Sequence, residues 1–140
     1  MSLATVWIAI KDYLDANWSL TLVEYDNEGS IPPDASATRP WLKVRLSGNS
    51  FYQASIGDEP RAGNLWREEG LLHLLVFVPL NTGVLSAYEL QGELKRLFRG
   101  LTLSPAIEFR DQSDGLGASQ DTERGTFFCV PLSIEWLMDT

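Results

Sequence analysis

Apolar residues change their spacing several times along the chain, and each change marks an element. Leu3, Val6, Trp7, Ile10, Tyr13 and Leu14 recur every three or four residues, with Lys11, Asp12 and Asp15 off the stripe. That spacing predicts an amphipathic helix ending near Asn17. A short strand over roughly Leu20 to Tyr25 follows. Residues 26–39 are acidic, hold the Pro32-Pro33 pair and have little to bury, so they read as a long loop.

From Pro40 the pattern alternates. Leu42, Val44 and Leu46 point one way, and Lys43 and Arg45 the other, as in a half-buried strand. Gly48-Asn49 suits a turn into a second alternating run, Phe51 to Ile56, which predicts a hairpin. A loop from Gly57 to about Asn64 leads into the most apolar segment, residues 65–79. There Leu72, Leu74, Val76 and Val78 share one face, and Leu71, His73, Leu75 and Phe77 the other. Apolar side chains on both faces predict a central strand.

A second helix is expected from about Val84 to Arg99, with Ala87, Leu90, Leu94, Leu97 and Phe98 as its stripe and Gly100 just past its end. A strand over about Leu103 to Arg110 should follow, then a loop over 111–125. The last strand carries Phe128, Val130, Leu132, Ile134 and Trp136 inward. Pro131 cannot donate to a ladder, so this strand is expected at a sheet edge or bulged there. The pattern predicts one α+β domain over 1–140: a mixed, mainly antiparallel sheet with two amphipathic helices packed on one face.

Composition narrows the chemistry. With 140 residues and 44% hydrophobic content, one core without disulfides is expected. The net charge of -8 is spread evenly, and no dense Lys/Arg cluster exists, which argues against sequence-independent nucleic-acid binding. One cysteine, Cys129, excludes an intrachain disulfide framework. No basic segment followed by an apolar run opens the chain, so no signal peptide is expected, nor any membrane partner.

The sequence holds no catalytic constellation. His73 is the single histidine and lies mid-strand among leucines, which favours a hydrogen-bonded structural role. Cys129 reads as a small buried thiol. Asp111, Asp114, Asp121 and Glu123 do not follow the calcium-loop spacing. Glu68 and Glu69 are neighbours in a strand and so face opposite sides. No metal, cofactor or enzymatic activity is expected. Trp41, Trp66, Phe51 and Tyr52 lie at strand starts or loop edges, where aromatic residues serve either peripheral packing or interface anchoring. Arg61, Trp66 and Arg67 make the 57–70 segment the favoured contact surface, with Glu68, Asp114 and Asp121 as charged partners at an interface.

An ordered set of short signatures then becomes informative. A first helix and a proline-containing loop precede Pro40-Trp41-Leu42-Lys43-Val44. Arg61 and Gly63 precede Arg67-Glu68-Glu69-Gly70 and Leu74-Leu75-Val76-Phe77-Val78-Pro79. Gly83 and Ala87 open a helix ending in Leu97-Phe98, and the last strand carries Val130-Pro131-Leu132. In this order and spacing the chain resembles the tail terminator-like family of long-tailed phages and gene transfer agents. The resemblance implies a structural protein forming a ring, usually a hexamer, that caps the tail tube, stops its polymerisation and offers a head-docking surface. Its implied partners are further copies of itself, the major tail tube protein and a head-completion or connector protein, with DNA passing through the lumen without specific binding. The implied location is the host cytoplasm during assembly, then the head-proximal end of the virion tail. Two other readings stay open: a head-completion or stopper protein of the neck, and a small cytoplasmic ligand-binding or adaptor domain.

Overall fold

The computed structural model describes residues 3–26, 39–79, 81–104, 106–114, 119–120 and 127–140. In chain order these form α1 (Leu3–Asn17), β1 (Leu22–Tyr25), β2 (Trp41–Gln53), a 3-10 turn (Arg61–Gly63), β3 (Trp66–Pro79) and α2 (Leu85–Phe98). Strands β4 (Thr102–Leu103), β5 (Ile107–Ser113), β6 (Ser119–Gln120) and β7 (Phe127–Asp139) complete the fold. One sheet takes the order β1-β2-β3-β7-β5-β4, and β6 also pairs with β7. Among the described residues only β1 and β2 pair in parallel; the other pairings are antiparallel. The fold is therefore α+β with a mixed, mainly antiparallel sheet.

The apolar pattern sorts onto two faces as the alternation requires. Leu42 and Val44 of β2, Leu72, Leu74, Val76 and Val78 of β3, and Leu132, Ile134 and Trp136 of β7 belong to the main core cluster. Val6, Ile10 and Leu14 of α1, and Ala87, Leu94 and Phe98 of α2, pack into it from the helices. The helices also touch each other. The Tyr13 hydroxyl donates to the Leu97 carbonyl at 2.9 Å, satisfying an acceptor in the last turn of α2, and its ring meets Phe98 edge-on. The second face of the sheet holds a smaller cluster: Trp41, Phe77, Phe127 and Cys129, with Leu75 packed against it.

Four expectations need correction. The strand expected over about Leu103 to Arg110 is two, β4 and β5, which pair antiparallel with Thr102 opposite Glu108. No hairpin forms at Gly48-Asn49. Instead β2 runs unbroken to Gln53 along β3, with a bulge between Gly48 and Ser50. A glycine in a strand with a small polar neighbour serves a bulge as readily as a turn, and pairing with the long β3 decides between them. Next, β7 is interior, between β3 and β5. Pro131 is accommodated because its carbonyl accepts from Gln91 Nε2 of α2 at 2.7 Å. A strand residue's N–H and C=O point to the same side, so the missing donor falls where no ladder partner is needed. Finally, the span expected as a 111–125 loop is partly strand, since 111–113 extend β5 and 119–120 form β6. The rest of that span after Asp114, and residues 27–38 of the first expected loop, lie outside the described residues.

Gly70 fixes how closely β2, β3 and β7 pack. A Cβ there would lie 2.1 Å from the Ser47 carbonyl oxygen and 2.7 Å from Trp136 Cζ2. The Trp136 indole, buried to 1% exposure, occupies the space a side chain would need.

Candidate contact surfaces

Beyond its pairing with β1, which ends at Val44, β2 continues as the free edge of the sheet among the described residues, and with β3 and β7 it forms a three-stranded arm reaching Gln53, Trp66 and Thr140. Residues 54–65 close the arm and are tied down by their own polar groups. Ala54 N–H donates to the Leu65 carbonyl at 2.7 Å, and Leu65 N–H to Ser55 Oγ at 2.7 Å. The buried Asn64 accepts from Asp58 N–H at 3.0 Å, pinning the loop across itself.

This framework holds an exposed aromatic cluster. Phe51 and Trp66 have ring centroids 5.3 Å apart, and the Arg61 guanidinium lies 5.9 Å from the Trp66 ring centre. Trp66 Nε1 donates to the Arg61 carbonyl at 3.3 Å, and Arg61 Nε to Gln53 Oε1 at 2.9 Å. Phe51 is 60% exposed and Ile56, on the loop, 91%. Arg61 and Trp66 are thus brought together as the spacing suggested, with Phe51 beside them. Ile56 went unrecognised as a surface residue because it closes an alternating run that reads as strand.

The other expected site residues separate. Arg67 lies on the opposite face of β3, where Nε and Nη2 donate to the Asp139 carboxylate at 2.7 and 2.9 Å. Its fork is committed within the chain. Trp41 is only 1% exposed, stacked on Phe77 at 4.2 Å with Phe127 edge-on, so it serves packing rather than an external anchor. Glu68 and Glu69 face opposite sides as expected, and Glu69 accepts from the Tyr52 hydroxyl at 2.9 Å. Asp114 pairs with Lys95 at 2.8 Å. Asp121 lies outside the described residues.

The Arg67–Asp139 pair holds the end of β7 against β3. The hydrogen bonds from Arg67 lower the Asp139 pKa below the usual carboxylate value of 3.8 and raise that of Arg67. A carboxylate with a depressed folded pKa contributes stability above its unfolded value, and that contribution is lost as pH falls through the folded one. Asp139→Asn should therefore lower the melting temperature at pH 7. The gap to the unmodified protein should close as pH drops below 3.8; a gap that stays constant would mean the pair adds nothing.

His73 lies in a polar chain across the second face. Its Nδ1 is 3.1 Å from Ser133 Oγ and its Nε2 3.3 Å from Ser47 Oγ, whose hydroxyl donates to the Leu71 carbonyl. Burial and nearby Arg45 push its pKa below 6.5. Both ring nitrogens are engaged in cross-strand contacts, the hydrogen-bonded structural role that its sequence position suggests. Among the described residues no group of three His, Cys, Asp or Glu side chains is placed to hold a metal ion. No helix among them is long and apolar enough to cross a membrane.

A second surface forms where the first half of α2 meets Leu20. Leu20, Ser86, Glu89, Leu90, Gly92 and Glu93 line an open groove of about 750 Å³. Leu85 and Tyr88, off the buried stripe of α2, are 70% and 51% exposed on the same half of the helix. Glycine in a helix interior costs roughly 1 kcal/mol relative to alanine, yet a Cβ at Gly92 would meet nothing within 4 Å. Packing within the chain does not demand this glycine. Gly92→Ala should raise the urea midpoint by the equivalent of about 0.5–1 kcal/mol; an unchanged or lower midpoint would indicate that the site is constrained within the monomer. The sequence signals of this groove, an interior helical glycine and apolar residues off the core stripe, are present but easily absorbed into the helix pattern.

Comparison with known proteins gives one family match: the model for a phage tail terminator protein covers residues 5–136. Among solved structures, one chain superposes with a TM-score of 0.60 at 22% identity, over 97% of this chain and 94% of that one, a likeness of fold. No curated protein matches.

Proposed function

Because the chain belongs to the phage tail terminator family, and is thus a structural protein of a phage tail, we propose that it forms a ring that caps the tail tube. In this reading the ring stops tube polymerisation on one face and presents the head-docking surface on the other. The match over residues 5–136 carries the reading. The exposed aromatic arm and the apolar α2 groove support it, since isolated soluble chains seldom expose grouped large apolar side chains without a contact to cover them.

Its partners are then further copies of the same chain, six in a hexameric ring, the major tail tube protein, and a head-completion protein. The net charge of -8 would disfavour DNA adhering as it crosses the lumen. Assembly would take place in the host cytoplasm, and the ring would remain at the head-proximal end of the tail. Particles made without the protein distinguish this role from that of a neck connector. Tails of uncontrolled, excessive length are expected; tails of normal length beside filled, tailless heads would instead identify a connector.

A further inference from the structure

The arm tip and the α2 groove lie at opposite ends of the molecule. The arm ends at Trp66, the first residue of β3. The groove lies toward the other end, where Leu20 precedes Leu22, which pairs with Trp41 and through it with Phe77. Fourteen residues of extended β3 separate the two ends by on the order of 40 Å. Two different surfaces at opposite ends of one chain make a head-to-tail contact, which generates a closed ring when the rotation between copies closes.

We propose that the arm tip of one copy seats in the α2 groove of its neighbour, with Phe51 and Ile56 against Leu20 and Leu90, and Arg61 against Glu89. This rests on the ring reading above and specifies the contact that builds the ring. Charge selects the pairing. Every copy is strongly acidic, so a second copy approaches most favourably where a cation meets a carboxylate. Arg61 is exposed, held over Trp66, and forms no ion pair among the described residues; Glu89 on the groove is likewise exposed and without one, whereas Glu93 is taken by Arg96. Shape agrees. The tip leaves Phe51 and Ile56 largely exposed, and the groove lacks a side chain at Gly92, where an incoming group gains room against the helix backbone.

The test is charge exchange in the full-length chain, read by native mass spectrometry at rising concentration, alone and with tube protein of the same phage. Arg61→Glu and Glu89→Arg should each reduce the ring fraction more than tenfold, and the double variant should restore it. Gly92→Phe should block rings without lowering the melting temperature, which separates a filled groove from a misfolded chain. In a Cys129→Ala background, Ile56→Cys with Ser86→Cys should give, on oxidation, a ladder of linked species ending at the ring size. Rings in the unmodified protein, with neither rescue nor linkage in the variants, would overturn this contact and leave the ring intact. No ring under any condition would overturn the ring reading and this contact with it.

Discussion

Gly70→Ala is expected to destabilise the protein by about 3 kcal/mol, the upper part of the range for forcing a methyl group into a packed site. The reason is the identity of the obstacle. The added Cβ would lie 2.1 Å from the Ser47 carbonyl oxygen, which belongs to the neighbouring strand and not to a movable side chain. Relief requires β2 and β3 to part around the Gly48↔Gly70 pair, loosening their ladder there. The second contact, with Trp136 at 2.7 Å, is a side chain but a fully packed one. Shrinking it in a Gly70→Ala/Trp136→Leu double variant should relieve that contact but not the one with Ser47, so the pair stays well below the unmodified protein. Urea unfolding checks this through a reduced midpoint at unchanged slope. A loss under about 1 kcal/mol would show that the strands separate more easily than the register suggests. Against a total stability of roughly 5–15 kcal/mol, the expected loss is enough to limit soluble yield.

Trp41→Ala should cost about 3–5 kcal/mol, the usual consequence of deleting a large buried aromatic. The indole lies parallel to Phe77 at 4.2 Å and is met edge-on by Phe127, so its removal opens a void at the centre of the smaller core cluster. Trp66→Ala provides the contrast. Its ring is only half-buried, and loses chiefly its contacts with Phe51 and Arg61. The stability change there should stay within about 1.5 kcal/mol, while ring formation is lost. Thermal unfolding paired with native mass spectrometry resolves the two. Equal destabilisation by both variants would mean that the arm tip is part of the fold rather than a surface presented to others.

Much of the fold was legible because periodicity reports burial directly. The stripe Val6, Ile10, Leu14 in α1 and the double alternation of Leu71 to Val78 in β3 needed no long-range information. The errors lie where one local signal serves two structures. Gly48-Asn49 reads equally as turn or bulge, and the choice belongs to the partner strand. Pro131 reads as an edge residue unless one knows that Gln91, 40 positions earlier, meets its carbonyl. The contact surface was half legible for the same reason. Trp66 and Arg61 are close in sequence and stay together. Arg67 looks equivalent on paper, but its partner Asp139 is 72 residues away. The groove was illegible as a unit, since Leu20 joins α2 residues only through the packing of the fold.

The bulge in β2 has a bearing on how this family surface can vary. Before it, partners on β2 and β3 follow one register, and Gly48 faces Gly70; after it, Ser50 faces Glu69 and Phe51 faces Glu68. The extra residue shifts the alternation of β2 by one position in the sequence. Phe51 therefore lies on the same side as Trp66, and Tyr52 with Glu69 on the other. Deleting Asn49 alone would regularise the ladder, with Ser50 following Gly48 opposite Glu69, and would leave Phe51 and Tyr52 on the faces they now occupy. For related chains, loss of this one residue is thus absorbed by the ladder, whereas the same loss further along β2, where no bulge can take it up, would turn the later side chains to the other face.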